Sequence, residues 1–262
     1  MKLNVVLRTC DKVSVSDGRI VPKKECVIRC LKSLVSSLEN SREPHTLHII
    51  DDRSSEETRT QIKEIAKNAS IVFLSDRDDG KLNNKQKSRY SLNLALQYIE
   101  TIPENELVYL IEDDYLHYTD GIYRMMKSYR YFTEYILDVF VGIFPQDFTE
   151  LYPHRQNKFN ETYVKPCYVF PGPDTYFRTT WFTHESFMIQ VKLFLKYKEH
   201  FQKLLNIGSI DGEWEGSTIS KVWEQSDVCM LMPMIKPFAI HVSKIEDIPF
   251  YNEDFYSLWE KY

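Results

Sequence analysis

The chain of 262 residues contains no run of eighteen apolar residues, so its sequence predicts no membrane-spanning helix. The N-terminus, M-K-L-N-V-V-L-R-T-C, is too short an apolar run for a secretory leader, and Arg8 interrupts it. A basic surplus is also missing. The formal net charge of −5 argues against a nucleic-acid partner, which normally meets a basic face. Five cysteines, at positions 10, 26, 30, 167 and 229, fall in no zinc-ligand spacing. An odd count without such spacing reads as reduced, mostly buried thiols in a cytoplasmic protein. Linkers, repeats and low-complexity segments are absent as well, which leaves one domain over residues 1–262 as the expectation. What is present is ordinary globular material, 43% hydrophobic and 27% charged. Seventeen tyrosines add aromatic faces and hydroxyls that suit a sugar or nucleoside site, and equally a protein interface.

The hydrophobic pattern alternates between two periods. Leu3 to Leu7 reads as a buried strand, and Val27, Ile28, Leu31, Leu34, Val35 and Leu38 then lie on one helical face behind Pro22. Leu47 to Ile50 is a second strand, and Ser54 with Glu57 has the spacing of a capping box for the next helix. Ile71 to Leu74, a helix from about Asn84 to Glu100, and a strand from Leu107 to Ile111 continue the series. Strands alternating with helices in this way predict an α/β chain with a mostly parallel central sheet flanked by helices. Beyond Asp120 the regularity weakens. The pattern gives a helix over Gly121 to Tyr135, strands at Val139 to Phe144, Tyr168 to Phe170 and Thr175 to Phe182, and a helix over Ser186 to Phe201. A short helix follows D-G-E-W-E-G, and Met234 to Val242 returns to the sheet.

Ligands of such sheets bind beyond the carboxyl ends of the strands. The polar clusters of the first half all fall at such ends: Thr9-Cys10-Asp11, Asp51-Asp52, the acids between Asp76 and Asp79, and Glu112-Asp113-Asp114. Three neighbouring carboxylates repel one another by roughly 4 kcal/mol per pair at 4 Å and an effective dielectric near 20. They read either as a solvated acidic turn or as the seat of a divalent cation, Mg²⁺ or Mn²⁺, shared with substrate phosphates. Asp51 and Asp52 stand near a positive helix end, and Asp52 is also placed to accept a hydrogen bond from the N3–H of a uracil base.

The ordered set T-x-x at residue 9, I-I-D-D-R-S-S-E-E-T, S-R-Y-S-L-N-L-A-L and L-I-E-D-D-Y resembles the nucleotide-binding half of GT-A fold, Rossmann-like glycosyltransferases. The nearest pattern is that of the inverting family 2 enzymes, which include a spore-coat polysaccharide enzyme. The similarity covers roughly residues 1 to 120, leaving 121 to 262 as the acceptor-binding half. It implies that Thr9 and Asp52 contact the uridine, with Asp11 nearby, and that Arg89 lies near the base or diphosphate. Glu112 or Asp113 would hold the ribose and Asp114 the metal, although the chain has Glu where the D-x-D pattern starts with Asp. By the same resemblance an acid in D-G-E-W-E-G is the general base, Asp211 ahead of Glu213. His241 in I-H-V-S is a further metal ligand and Lys244 a diphosphate contact. Three of these have a plainer alternative: helix-start acids for Asp211 and Glu213, and a satisfied core histidine for His241. His184 and Glu185 suit an acceptor cleft or a helix cap. Trp181, Trp214 and Tyr176 suit a sugar or the core.

The expectation is therefore a metal-dependent glycosyltransferase (a hexosyltransferase) that moves a sugar from a UDP-sugar donor to an acceptor hydroxyl, with inversion favoured and retention left open because the second half decides the stereochemistry. Two rivals remain. One is a non-catalytic nucleotide-sugar or carbohydrate binding protein. The other is a sugar nucleotidyltransferase, which wants a glycine-rich phosphate loop after the first strand. R-T-C-D-K-V-S-V-S-D-G, with one late glycine, does not supply that loop.

Overall fold

The computed structural model describes residues 1–12, 22–74, 84–146, 167–181, 183, 185–206, 218–242 and 252–262. Strands β1 (Leu3–Thr9), β2 (His45–Asp51), β3 (Ser70–Phe73) and β4 (Leu107–Glu112) are parallel and lie in the order β3-β2-β1-β4. Every residue of β1 is buried, as expected of a central parallel strand with both faces covered. Helices α1 (Lys23–Ser41), α2 (Glu56–Ile65) and α3 (Asn84–Ile99) connect them. Odd-numbered residues of β1, such as Val5 and Leu7, join the core under α1, while Val6 faces the core under α3. This is the period-2 alternation of a strand sandwiched between helix layers.

The second half extends the same sheet. β6 (Phe140–Ile143), β9 (Phe187–Gln190), β10 (Val228–Pro233), β8 (Tyr176–Thr179) and β7 (Val169–Pro171) complete a nine-stranded sheet, β3-β2-β1-β4-β9-β6-β10-β8-β7. Among these strands only β8 and β9 run against the rest, so the sheet is mostly parallel. A separate two-stranded sheet pairs β5 (Tyr115–His117) with β11 (Ala239–His241). It packs against α1 and the helix over Asn252–Lys261 in a third cluster of Cys26, Cys30, Leu116, Ile240, Phe255 and Leu258. All five cysteines are free thiols.

Four readings of the sequence need correction. Ser186 to Phe201 is not one helix: Phe187–Gln190 is β9, followed by the short helices α5 (Val191–Lys196) and α6 (Lys198–Lys203). Phe187 and Ile189 enter one core and Met188 the other, so this segment is buried on both faces between β4 and β6. Such a strand has the same apolar density as a buried helix, which periodicity alone does not separate. The return after Met234 is shorter than expected and joins β5 rather than the main sheet. The helix from Gly121 ends as α4 at Tyr131 and continues as one wider π turn, Phe132–Ile136. The cap of α2 is Ser55, whose side chain accepts from the Thr58 N–H, not Ser54. Ser54 is held elsewhere: its N–H donates to Asp51 and its hydroxyl accepts from the Asp11 N–H, each at 3.0 Å. The short helix after D-G-E-W-E-G is α7 (Ser220–Trp223), and α8 spans Asn252–Lys261. Among the described residues no helix is long and apolar enough to cross a membrane.

His117, at the end of β5, is buried with two ring partners. Nδ1–H donates to the Tyr115 carbonyl at 3.2 Å, which leaves Nε2 to accept from the Tyr109 hydroxyl at 3.1 Å. Burial pushes the imidazole down to about 3, so the folded chain keeps it neutral while the unfolded chain protonates near 6.5. The stability tied to the neutral ring is complete above pH 6.5 and is lost as pH falls from there toward 3. Its loss at pH 5 is about 2 kcal/mol. Urea unfolding of His117→Gln at pH 7.5 and pH 5 is expected to show a pH-dependent loss smaller by about that amount. An unchanged pH slope would contradict this.

Candidate active site

Chain order β1, β2, β3 steps outward on one side of β1, and β4 then returns to its other side. The carboxyl ends of β1 and β4 thus flank a topological switch point, where an open α/β sheet leaves a crevice. Thr9, Cys10 and Asp11 arrive on one lip, and Glu112, Asp113 and Asp114 on the other. The lips are tied directly: the Cys10 N–H donates to Asp113 Oδ2 at 2.7 Å.

The three consecutive carboxylates diverge. Glu112 pairs with Arg8, Oε1 to Nη2 at 3.0 Å, on the α3 side of the sheet. Asp113 turns to the α1 side, where Lys23, the first residue of α1, forms an ion pair with Oδ1. Asp114 Oδ2 lies 3.4 Å from His241 Nε2. Burial pushes Asp113 upward, as does the Asp114 charge, against the pull of Lys23 and the Cys10 amide. Burial raises Glu112 to about 7, helped by the Glu185 charge and opposed by Arg8. Its side chain nonetheless keeps 33% of its surface exposed, so water softens that shift.

Arg8 also reaches Glu185 at 2.8 Å, and Arg89 from α3 pairs with the other oxygen of the same carboxylate. The result is a buried chain of alternating charge, Glu112–Arg8–Glu185–Arg89. Burial would raise Glu185, but the two guanidinium groups outweigh it and hold the carboxyl below its ordinary range. Arg89, expected near the base or diphosphate, is thereby engaged with Glu185, and Glu185 is neither cap nor isolated cleft residue. Arg8 and Lys23 were not singled out from the sequence. Arg8 carried a readable signal, since alternation puts it on the same face as Val6 and a charge there needs a buried partner.

The β2 side is built by Asp51 and Asp11. Asp51 is fully buried and accepts from Thr9 Oγ1 at 3.0 Å, the Ser54 N–H at 3.0 Å and Arg59 Nε at 3.1 Å. The Thr9 hydroxyl hydrogen is therefore committed to Asp51. Asp52 is buried, its N–H donating to the Thr9 carbonyl at 2.7 Å and its Oδ1 accepting from Arg53 Nε at 2.9 Å. Arg53 itself adopts a left-handed φ of 65°, a strained conformation for a side chain other than glycine. Asp11 accepts from the Ser55 N–H and from the Ser55 and Thr58 hydroxyls, the latter two at 2.6 Å. Burial alone would raise it, but those bonds lower its pKa. Asp11 thus anchors the first turn of α2.

Asp114 and His241 are far apart in sequence and meet through the small sheet. His241 is paired with Tyr115 in register, and the Val242 N–H donates to the Asp114 carbonyl at 2.6 Å. The His241 N–H donates outward to Gln146 Oε1 at 2.8 Å. At the start of α4, a Cβ on Gly121 would lie 2.2 Å from the Phe238 carbonyl oxygen, so only glycine lets α4 approach the strand carrying His241. Among the described residues no three His, Cys, Asp or Glu side chains converge as a ready metal cage. The two donors are close enough to share one ion at the roughly 2.1 Å distances usual for imidazole and carboxylate ligands. Asp211, Glu213, Lys244, His184, Trp214 and the acids at 76–79 lie outside the described residues. Tyr176 is exposed on β8, one strand in from the far edge of the sheet, with β9, β6 and β10 between it and β4.

No family model and no curated protein matches this sequence. Solved structures do match its fold. Staphylococcus aureus TarS 1–349 aligns with a TM-score of 0.52 at 12% identity, over 98% of this chain and 63% of that one. The same fragment in complex with UDP gives 0.51 at 12% identity, over 91% and 60%. The galactosyltransferase LgtC, solved with donor and acceptor sugar analogues, gives 0.50 at 11% identity, over 98% of this chain and 95% of that one. The chain thus spans less than two thirds of the TarS fragment and nearly all of LgtC. Its fold is the GT-A fold.

The buried charge chain yields a test of stability. Removing one partner strands the others, at about 3–5 kcal/mol, whereas an apolar replacement of a whole pair is far milder. Glu185→Ala is expected to lower unfolding free energy by about 3 kcal/mol in urea, and Arg89→Met with Glu185→Leu, which leaves the Glu112–Arg8 pair intact, to recover part of that loss. A Glu185→Ala protein as stable as the parent would contradict the network.

Proposed function

We propose that this protein is a metal-dependent glycosyltransferase that transfers a sugar from a UDP-sugar to an acceptor hydroxyl with inversion. The observation that carries the reading is the pair Asp114–His241, 3.4 Å apart, beside the switch-point crevice of a GT-A fold. LgtC is a galactosyltransferase and the TarS fragment was solved with UDP, which supports the reading at the level of fold.

The residues present fit a divalent cation. The Asp114 carboxylate and the His241 imidazole would hold it, a mixed donor set that suits Mn²⁺ and tolerates Mg²⁺. When bound, such an ion neutralises the charge that develops on departing UDP. His241 serves as a ligand in its neutral form. Asp52 accepts from the uracil N3–H, with Thr9 beside it as an acceptor, its own hydrogen being committed to Asp51. Glu112 is the better ribose ligand, because Asp113 is engaged by Cys10 and Lys23 while Glu112 keeps a third of its surface. Asp11 acts indirectly, by fixing the α2 turn next to the base. Arg89 acts through Glu185 and Arg8 on Glu112. Lys244 would meet the diphosphate from the segment after β11.

In the chemical step, Asp211 takes the proton of the acceptor hydroxyl as its oxygen attacks the anomeric carbon, with Glu213 the second candidate. The bond from that carbon to the diphosphate oxygen breaks on the opposite face, and UDP leaves with the electron pair. The products are the glycosylated acceptor, UDP and a protonated carboxyl.

Calorimetry of UDP with and without Mn²⁺, coupled to an assay of UDP release from UDP-sugars, tests this. The parent protein is expected to bind UDP at least about ten-fold more tightly with Mn²⁺. Asp114→Ala is expected to lose that increment and the release activity. Equal Mn²⁺-dependent binding by Asp114→Ala would refute the assignment, and binding without any release would leave a nucleotide-sugar binding protein instead.

A further inference from the structure

Gln146, just beyond β6, is 1% exposed. Its Oε1 accepts the His241 N–H, and this fixes the orientation of the carboxamide, since only the oxygen can accept that hydrogen. The other end, Nε2, is buried and has no hydrogen-bond partner among the described residues. Native proteins rarely leave a buried amide donor unmatched, because its lost hydration is not returned. Gln146 is tied to the backbone of His241, the residue whose imidazole lies 3.4 Å from Asp114, so the donor belongs to the same corner of the site.

The sheet indicates which oxygen. Its order across the crevice is β2-β1-β4-β9-β6. With strands about 4.8 Å apart, the end of β6 is roughly 14 Å from the end of β1. A nucleotide with its base at the β1–β2 edge and its diphosphate at Asp114–His241 continues toward β6, and the next group in that direction is the sugar. We infer that Gln146 Nε2 donates to a hydroxyl oxygen of the donor sugar, making Gln146 a residue that selects which sugar is carried. This rests on the nucleotide-sugar reading above. A site that hydrogen-bonds one hydroxyl discriminates against sugars lacking it, because the buried donor is then left unpaired.

The test compares UDP alone with a panel of UDP-hexoses and UDP-N-acetylhexosamines, by calorimetry with Mn²⁺, on the parent and Gln146→Met. The substitution also removes the acceptor for the His241 N–H. Any disturbance of His241 weakens UDP and UDP-sugar alike, since both engage it through the diphosphate. A lost sugar contact weakens only the UDP-sugar. The expected result is UDP affinity within about two-fold of the parent and the preferred UDP-sugar weakened about ten-fold. Equal losses for both ligands, or no loss for either, overturn the inference. Should Gln146→Met fail to fold, Gln146→Glu keeps an acceptor for His241 and replaces the donor with an acceptor. There the ratio of UDP-sugar to UDP affinity, or the rank order of sugars, is expected to change, and an unchanged ratio and order overturns the inference. A parent protein that binds neither UDP nor any UDP-sugar defeats the nucleotide reading itself, and the role of Gln146 falls with it.

Discussion

Three adjacent carboxylates at the end of a buried strand are the constraint around which this half of the molecule is arranged. Left facing one another they would repel strongly in a partly desolvated crevice. The fold separates them by direction. Glu112 goes to Arg8 under α3, Asp113 to Lys23 and the Cys10 amide under α1, and Asp114 outward to His241. Alternation along the strand supplies the first separation, and the turn into β5 supplies the second. Among the described residues the three side chains therefore do not converge on one position. Glu112 and Asp113 each have a cationic partner within the protein, Arg8 and Lys23, while Asp114 has the imidazole of His241 beside it.

That division gives the surrounding elements distinct tasks. The β1–β4 pairing and the Cys10–Asp113 bond close the floor of the crevice, while Asp11, Ser54 and Asp51 fix the turn from β2 into α2. The small β5–β11 sheet brings His241 beside Asp114 across more than a hundred residues, braced by α1, α8 and the glycine contact at the start of α4. On the opposite face the Glu112–Arg8–Glu185–Arg89 chain links β1, β4, α3 and the entry to β9. Its members differ in protonation tendency because their neighbours differ. Glu185 lies between two guanidinium groups and is held low, whereas Glu112 shares one of them and lies near two other carboxylates.

Much of the first half was legible in the amino-acid sequence, since short apolar strands alternating with amphipathic helices leave few other arrangements. The placement of Thr9, Asp52 and Glu112 to Asp114 at strand ends followed from that pattern, and so did the expected flanking helices. The second half was not. F-M-I-Q has no polar alternation to betray a strand buried on both faces, and V-C-M-L-M-P at β10 went unread for the same reason. The partners of the acids were harder still. Lys23 meets Asp113 only because α1 begins over the end of β4, and Gln146 meets His241 through an irregular segment. Such contacts depend on tertiary placement, which no local spacing records. Asp51 illustrates the reverse case: a carboxylate that looked available in sequence is buried beneath Thr9, Ser54 and Arg59.

In the proposed site Asp114 and His241 together present a cation to a diphosphate, while Arg8 and Lys23 balance the charges of Glu112 and Asp113. Crystals grown with UDP and Mn²⁺, measured at the manganese absorption edge, test this most directly. One anomalous peak is expected in contact with both Asp114 Oδ2 and His241 Nε2 and with diphosphate oxygens, and none between Asp113 and Lys23. A peak held by Glu112 and Asp113, or bound UDP with no metal at Asp114, would contradict it.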